Sequence, residues 1–229
     1  MAQPLPAPVD EHLTKPRPLV FPTESTVPET KEHLDLRTAL YLVLCEAFGA
    51  VAWVGSDQFV YYDASDPSRV IAPDLFVRRG GPDELFVSWK VWERGCPELA
   101  IEIVSSSDAS ATAWEKKLAR YHAVGVAELV RFHAGAEQPL RVWDRVEDDL
   151  VERRVDVLRA TSRVLGCDLV VVERALRLER AGKMLPTPSE RASAEERRAS
   201  AEAQRASAET ERADRLRAKL IAAGIDPEE

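Results

Sequence analysis

Asp74 and Glu102 are carboxylates set in stretches that are otherwise apolar, Asp74 in IAPDLFV (71–77) and Glu102 in LAIEIV (99–104). An unpaired carboxylate inside a strand is costly, so each needs a partner. Taken singly, both have ordinary explanations. Glu102 pairs with a neighbouring Arg or Lys, and Asp74 opens a strand or closes a turn. Taken together on two adjacent strands, they can hold a divalent cation. Mg²⁺ prefers oxygen ligands, keeps several waters and often needs only one or two carboxylates. A lysine beside such a site could orient or deprotonate an attacking water and offset charge on a phosphoryl group. Lys117 is the candidate, because it lies four residues before Tyr121 and shares a helix face with it. Lys116 points about a hundred degrees away on helix geometry. Spacing alone does not turn Lys117 towards Glu102, and its default reading is a solvated helix lysine.

Regular elements must position these side chains. Residues Leu34, Arg37, Leu40, Tyr41 and Leu44 form a mostly apolar stripe at helical spacing, ending near Gly49. Ser25 or Thr26 is the expected cap, with Pro28 in the first turn and Glu29 near the positive end. The period then shortens. Segments 51–54, 58–62 and 70–77 are β-branched or aromatic and are separated by Gly, Asp, Ser and Pro, as short strands with turns require. Segment 99–104 reads as a strand buried on both faces. A helix is expected from about Ala111 to Val124, stopped by Gly125. Strands follow at 127–133, 140–144 and 150–156. This order predicts an α/β (α+β) fold, a mixed sheet flanked by helices.

Both ends differ in composition from this middle. Residues 1–28 hold seven of the fifteen prolines and read as an extended or disordered arm. The segment from Glu190 repeats every seven residues (ERASAEE, RRASAEA, QRASAET), with Arg191, Arg198, Arg205 and Arg212 in register. Ala, Glu and Arg favour a long helix. Its small apolar residues lack zipper spacing, so a solvated charged helix is expected, with a weak oligomerising role as the secondary reading. The chain therefore divides into the arm (1–28), a central domain (29–185) and a repeat helix (186–229).

Bulk properties narrow the function. No apolar run approaches the ~20 residues needed to span a bilayer, and the first residues lack a signal-peptide pattern. Cys45, Cys96 and Cys167 are dispersed, which suits free thiols in a reducing cytoplasm rather than a zinc site. No G-x-S-x-G, P-loop or G-x-G-x-x-G is present, so serine-hydrolase and nucleotide-cofactor chemistry have no support. His12, His33, His122 and His133 show no metal-binding spacing and read as surface or partly buried polar residues; His33, on the first helix, could approach the site as helices at a sheet edge often do, but the ordinary reading is preferred for it too. The five tryptophans read as core or interface anchors. The net charge of −8 speaks against tight binding of long duplex DNA, although a carboxylate-rich site contributes to it.

The ordered pieces APDLFV (72–77), SWKVWERGCPELAIEIVS (88–105) and WEKKLARYHAVGVAELVRF (114–132) resemble the Uma-type family of restriction endonucleases in the PD-(D/E)XK superfamily. The resemblance implies a restriction-endonuclease-like fold. It also implies a site built from an Asp after proline, a Glu in the next core strand and a Lys on the following helix. Those roles fall on Asp74, Glu102 and Lys117 as catalytic residues, with Asp74 and Glu102 as ligands of Mg²⁺ (or Mn²⁺), helped by a backbone carbonyl near Ile103. Two positions depart from the pattern. Val104 stands where the superfamily's motif has lysine, and Ala113 stands where many relatives carry Asp, with Asp108 further upstream. Glu98 and Asp57 are candidate outer members of the site. The implied activity is hydrolysis of a nucleic-acid phosphodiester, DNA foremost, with a homodimer expected by analogy. The rival reading is a non-catalytic nuclease-fold module oligomerised by its C-terminal helix.

Overall fold

The computed structural model describes residues 19–22, 30–104 and 110–223. Ser25, Thr26 and Asp108 lie outside the described residues. Helix α1 (Lys31–Phe48) is capped by Thr30, whose hydroxyl accepts the His33 N–H at 3.2 Å. Strands β1 (Ala52–Gly55), β2 (Val60–Tyr61), β3 (Val70–Ile71), β4 (Leu75–Arg79) and β5 (Trp89–Lys90) follow, then the one-turn helix α2 (Val91–Arg94) and β6 (Leu99–Ile103). Helix α3 (Ala111–Val124) leads to β7 (Glu128–Phe132), β8 (Leu140–Val146), β9 (Asp149–Arg153), β10 (Arg159–Ser162), β11 (Cys167–Val172), β12 (Ala175–Arg180), β13 (Lys183–Met184) and α4 (Pro188–Ala222).

The central sheet has the strand order β1-β4-β6-β7-β8-β9 and is mixed: β6 and β7 run parallel, and the other neighbours are antiparallel. A parallel pair needs a long crossover, and α3 provides it. Gly125, in the left-handed region at φ 90°, ends that helix and turns the chain into β7. Alternation along the strands assigns the two faces. Leu75, Val77, Leu99 and Ile101 pack with Leu40, Val43 and Leu44 of α1, whereas Phe76, Ala100 and Leu129 pack with Trp114, Tyr121 and Val124 of α3. Glu102 shares parity with Ala100 and so faces α3. A sheet covered by helices on both sides accounts for the near-continuous apolar character of 99–104.

Two expectations are corrected. The run 70–77 is two strands, not one: β3 pairs with β2 in a small separate sheet, and β4 joins the central sheet. Pro73 lies in the gap. It has no N–H for a ladder and holds the preceding residue extended. Residues 159–184, in which no strands are anticipated, form a four-stranded sheet, β10-β11-β12-β13. Its Ala160, Leu169, Leu176 and Leu178 join the core on the α1 side.

Helix α4 opens with a full capping box, Thr187 with Glu190, and none of its residues is buried. Ion pairs tie its first turn down, Glu190 to Arg177 and Arg191 to Glu46. No helix among the described residues is long and apolar enough to cross a membrane.

Candidate active site

The break at Pro73 puts Asp74 at the start of β4, where the ladder with β6 is running out. The register pairs Leu75 with Ile101, and continuing it would set Pro73 opposite Ile103. The Ile103 N–H has lost its strand partner and is satisfied by the Asp74 carboxylate instead, with Oδ2 accepting at 2.6 Å. The other oxygen, Oδ1, lies 2.7 Å from Nε2 of His33, one turn into α1. The carboxylate is therefore gripped by both neighbouring layers.

Glu102 stands beside it, 1% exposed. Its Oε2 accepts from Lys117 Nζ and its Oε1 from the Tyr121 hydroxyl, both carried by α3. Lys116 is exposed, as helix geometry predicts, and Lys117 turns to the sheet. Lys117 is itself 44% exposed, so its ammonium sits where the buried carboxylate meets solvent. Burial, reinforced by the negative charge of Asp74, pushes the Glu102 carboxyl up to about 7 despite the favourable Lys117 and Tyr121 contacts. Burial also holds the Tyr121 hydroxyl well above its ordinary range, so it acts as a donor.

This carboxyl should leave a mark on stability. Its proton is bound more tightly in the folded chain than in the unfolded one, so its contribution is fully present below about 4.5 and is lost as pH rises through about 7. Full ionisation costs on the order of 3 kcal/mol. Without divalent metal, Glu102→Gln is expected to melt higher than the native chain at pH 8 and to show little advantage at pH 5. Equal melting temperatures at both pH values would show that Glu102 ionises without penalty.

The carboxylates of Asp74 and Glu102 form a hard, all-oxygen donor pair. Among the described residues no group of three or more His, Cys, Asp or Glu side chains comes together as a metal-ligand cluster. Two carboxylates suit Mg²⁺ or Mn²⁺ with water completing the shell, and do not suit zinc. A cleft of about 200 Å³ opens beside the two partners of Asp74, lined by Thr30, His33, Ile103, Val104, His133 and Arg174 among others, with neither carboxylate in its lining. It lies at the carboxyl ends of the parallel strands β6 and β7, where open α/β sheets commonly bind ligands.

The structure brings Asp74, Glu102 and Lys117 together and corrects the readings around them. His33 is not a bystander: it holds Asp74. Nothing local in the sequence signals this, because the contact spans 41 residues. Glu98 does not join the site. It precedes β6 at the far end from Glu102, about 13 Å away along an extended strand, and is taken by Arg79 at 3.1 Å and Arg78 at 3.8 Å. Asp57 supports the turn rather than the carboxylates, its N–H donating to Pro73 O at 3.0 Å and its carboxylate 3.8 Å from Arg37.

Asp74, Glu102 and Lys117 thus meet at one end of a mixed sheet that carries helices on both faces, in an α+β fold. The chain belongs to the Uma2 family, described as "Putative restriction endonuclease", whose profile matches residues 23–179. Membership places it with nucleases in general. Among solved structures it is similar to a putative nuclease belonging to DUF820 from Anabaena variabilis ATCC 29413, at 14% identity and a TM-score of 0.42, covering 62% of this chain and 76% of that one. No curated protein matches it.

Proposed function

We propose that the chain is a Mg²⁺- or Mn²⁺-dependent endonuclease that hydrolyses DNA phosphodiester bonds. The carrying observation is the convergence of Asp74, Glu102 and Lys117 on one point, with two carboxylates held close enough for one to raise the other's pKa. Asp74 and Glu102 would hold the metal, which when bound supplies Lewis-acid polarisation of the phosphoryl group.

The remaining work belongs to the chain's own groups. His33 and the Ile103 N–H fix the Asp74 carboxylate, and Tyr121 fixes one oxygen of Glu102, so neither acid has to reorganise. Lys117, at the solvent edge of Glu102, hydrogen-bonds the attacking water and offsets charge developing on the phosphoryl oxygens. Water adds to phosphorus, releasing a proton to solvent, as the bond to the leaving sugar oxygen breaks in line. The departing oxygen takes a proton from solvent.

Incubation with supercoiled plasmid tests the reading. Nicking or linearisation with Mg²⁺ or Mn²⁺, and none with EDTA, is expected, alongside metal binding by calorimetry. Absence of both cleavage and metal binding would favour the non-catalytic module, to which the net charge of −8 and the alanine at position 113 lean.

A further inference from the structure

Arg131 is a buried cation with no carboxylate at ion-pair distance among the described residues. It sits on β7 with its Cα in register with Glu102 on one side and Arg141 on the other, so the three side chains share the face under α3. Only 9% of it is exposed. Its guanidinium carbon lies 5.1 Å from the centre of the Trp114 ring, and Trp114 is one turn before Lys117 on α3. Trp114 is steadied in turn by Trp143, with ring centres 5.2 Å apart.

Its Nε is buried without a hydrogen-bond partner among those residues. Of the acids on this face, Glu102 is taken by Lys117 and Tyr121, and Glu152 is engaged by Arg141 through two hydrogen bonds of 2.7 and 2.5 Å. Desolvation and the Arg141 charge lower the Arg131 pKa, against a smaller opposing pull from the more distant Glu152 carboxylate. A guanidinium stacked on an aromatic ring keeps its in-plane donors for a partner, and the planar fork matches a phosphate. A buried unpaired charge is destabilising, and packing alone would be served better by an apolar side chain in this place.

The position is as informative as the lack of a partner. Adjacent strands lie ~5 Å apart, so Arg131 is one strand over from Glu102, on the side away from Asp74. Burial, together with the nearby Arg131 charge, also holds down the protonation of His133, which lines the cleft.

We propose that Arg131 is a phosphate-binding residue, taking a backbone phosphate of the nucleic-acid strand beside the bond that is cut, with Trp114 fixing the guanidinium plane. This rests on the nuclease reading for the identity of the strand, but not for the binding itself.

The test is fluorescence anisotropy of the full chain with a short labelled DNA duplex and with its single strand, in EDTA, so that neither metal nor cleavage enters. Arg131→Met, which preserves contact with Trp114, is expected to bind roughly tenfold more weakly, with a salt dependence shallower by about one phosphate contact. The same variant should melt higher than the native chain, a rise that a structural role for Arg131 would not give. Arg131→Gln repeats the comparison with a polar side chain. Unchanged affinity and salt slope, no DNA binding by the native chain, or loss of binding together with a lower melting temperature would each overturn the proposal. Weaker binding by Arg131→Met, from a native chain that cuts nothing with any metal, would sink the nuclease reading and leave Arg131 as an anion site.

Discussion

Glu102→Gln is expected to remove metal-dependent cleavage, by a factor of about 10² to 10³ or more, while Lys117→Ala removes cleavage to a similar degree and keeps metal binding. The two substitutions separate the two roles. Gln is close to isosteric with Glu: its amide oxygen can accept from Lys117 while its NH₂ donates to a turned Tyr121 hydroxyl, so the local packing survives. What it lacks is the negative charge that would hold a cation, and calorimetry with Mg²⁺ or Mn²⁺ should record the loss. Lys117→Ala leaves both carboxylates in place. It removes the cation that partly offsets burial at Glu102, so the acid becomes harder to ionise and metal binding should move to higher pH. Cleavage of plasmid by Glu102→Gln at the native rate would remove Glu102 from the mechanism. Native cleavage by Lys117→Ala would return that residue to the ordinary role of a solvated helix lysine.

The largest stability effect is expected at a residue outside the site. Glu128, 1% exposed at the start of β7, accepts hydrogen bonds from Ser162 Oγ (2.6 Å), Arg153 Nη2 (3.1 Å) and the backbone N–H groups of Arg163 and Val164 (both 3.2 Å). The Arg153 guanidinium also reaches Asp144, the register partner of Glu128 on β8, at 3.5 Å. One carboxylate thus ties the central sheet to the turn that follows β10. Glu128→Ala would leave three donors (Ser162 Oγ and the Arg163 and Val164 N–H groups) without this acceptor and Arg153 with only Thr161 O and Asp144, a buried-pair loss of about 3–5 kcal/mol. For a domain of this size that lowers the melting temperature by roughly 10 °C, and urea titration should show the corresponding fall in midpoint. Glu128→Gln keeps one acceptor oxygen, enough for two of the four donors, and turns an amide NH₂ towards the other two, so it should recover only part of the loss. A loss below about 1 kcal/mol for the alanine variant would mean that water replaces the carboxylate at that turn.

Much of the site is legible along the chain because its signals are local. An acid inside LAIEIV violates its own neighbourhood, and strand alternation alone puts Glu102 on the face opposite Leu99, Ile101 and Ile103. A four-residue helical interval puts Lys117 and Tyr121 together, and Gly125 marks where their helix ends. Residues 159–184 are less legible. Their strands are four to six residues long or shorter, and Arg, Asp and Glu alternate with the apolar residues, so charged exposed positions dilute the pattern that a core-facing sheet would otherwise show.

By itself the sequence determined which side chains are chemically unusual for their surroundings, the faces they occupy on their own elements, and the long solvated helix at the end. Only the tertiary structure decided who meets whom. Pro73 interrupts the ladder, so the Ile103 N–H needs the Asp74 carboxylate. His33 reaches that carboxylate from an element on the other face of the sheet. Glu98 is consumed by Arg78 and Arg79, while Arg131 has no acid at ion-pair distance among the described residues. These outcomes depend on burial and pairing between residues distant along the chain. Desolvation and Coulomb energies follow distance in space, which no local window of sequence contains.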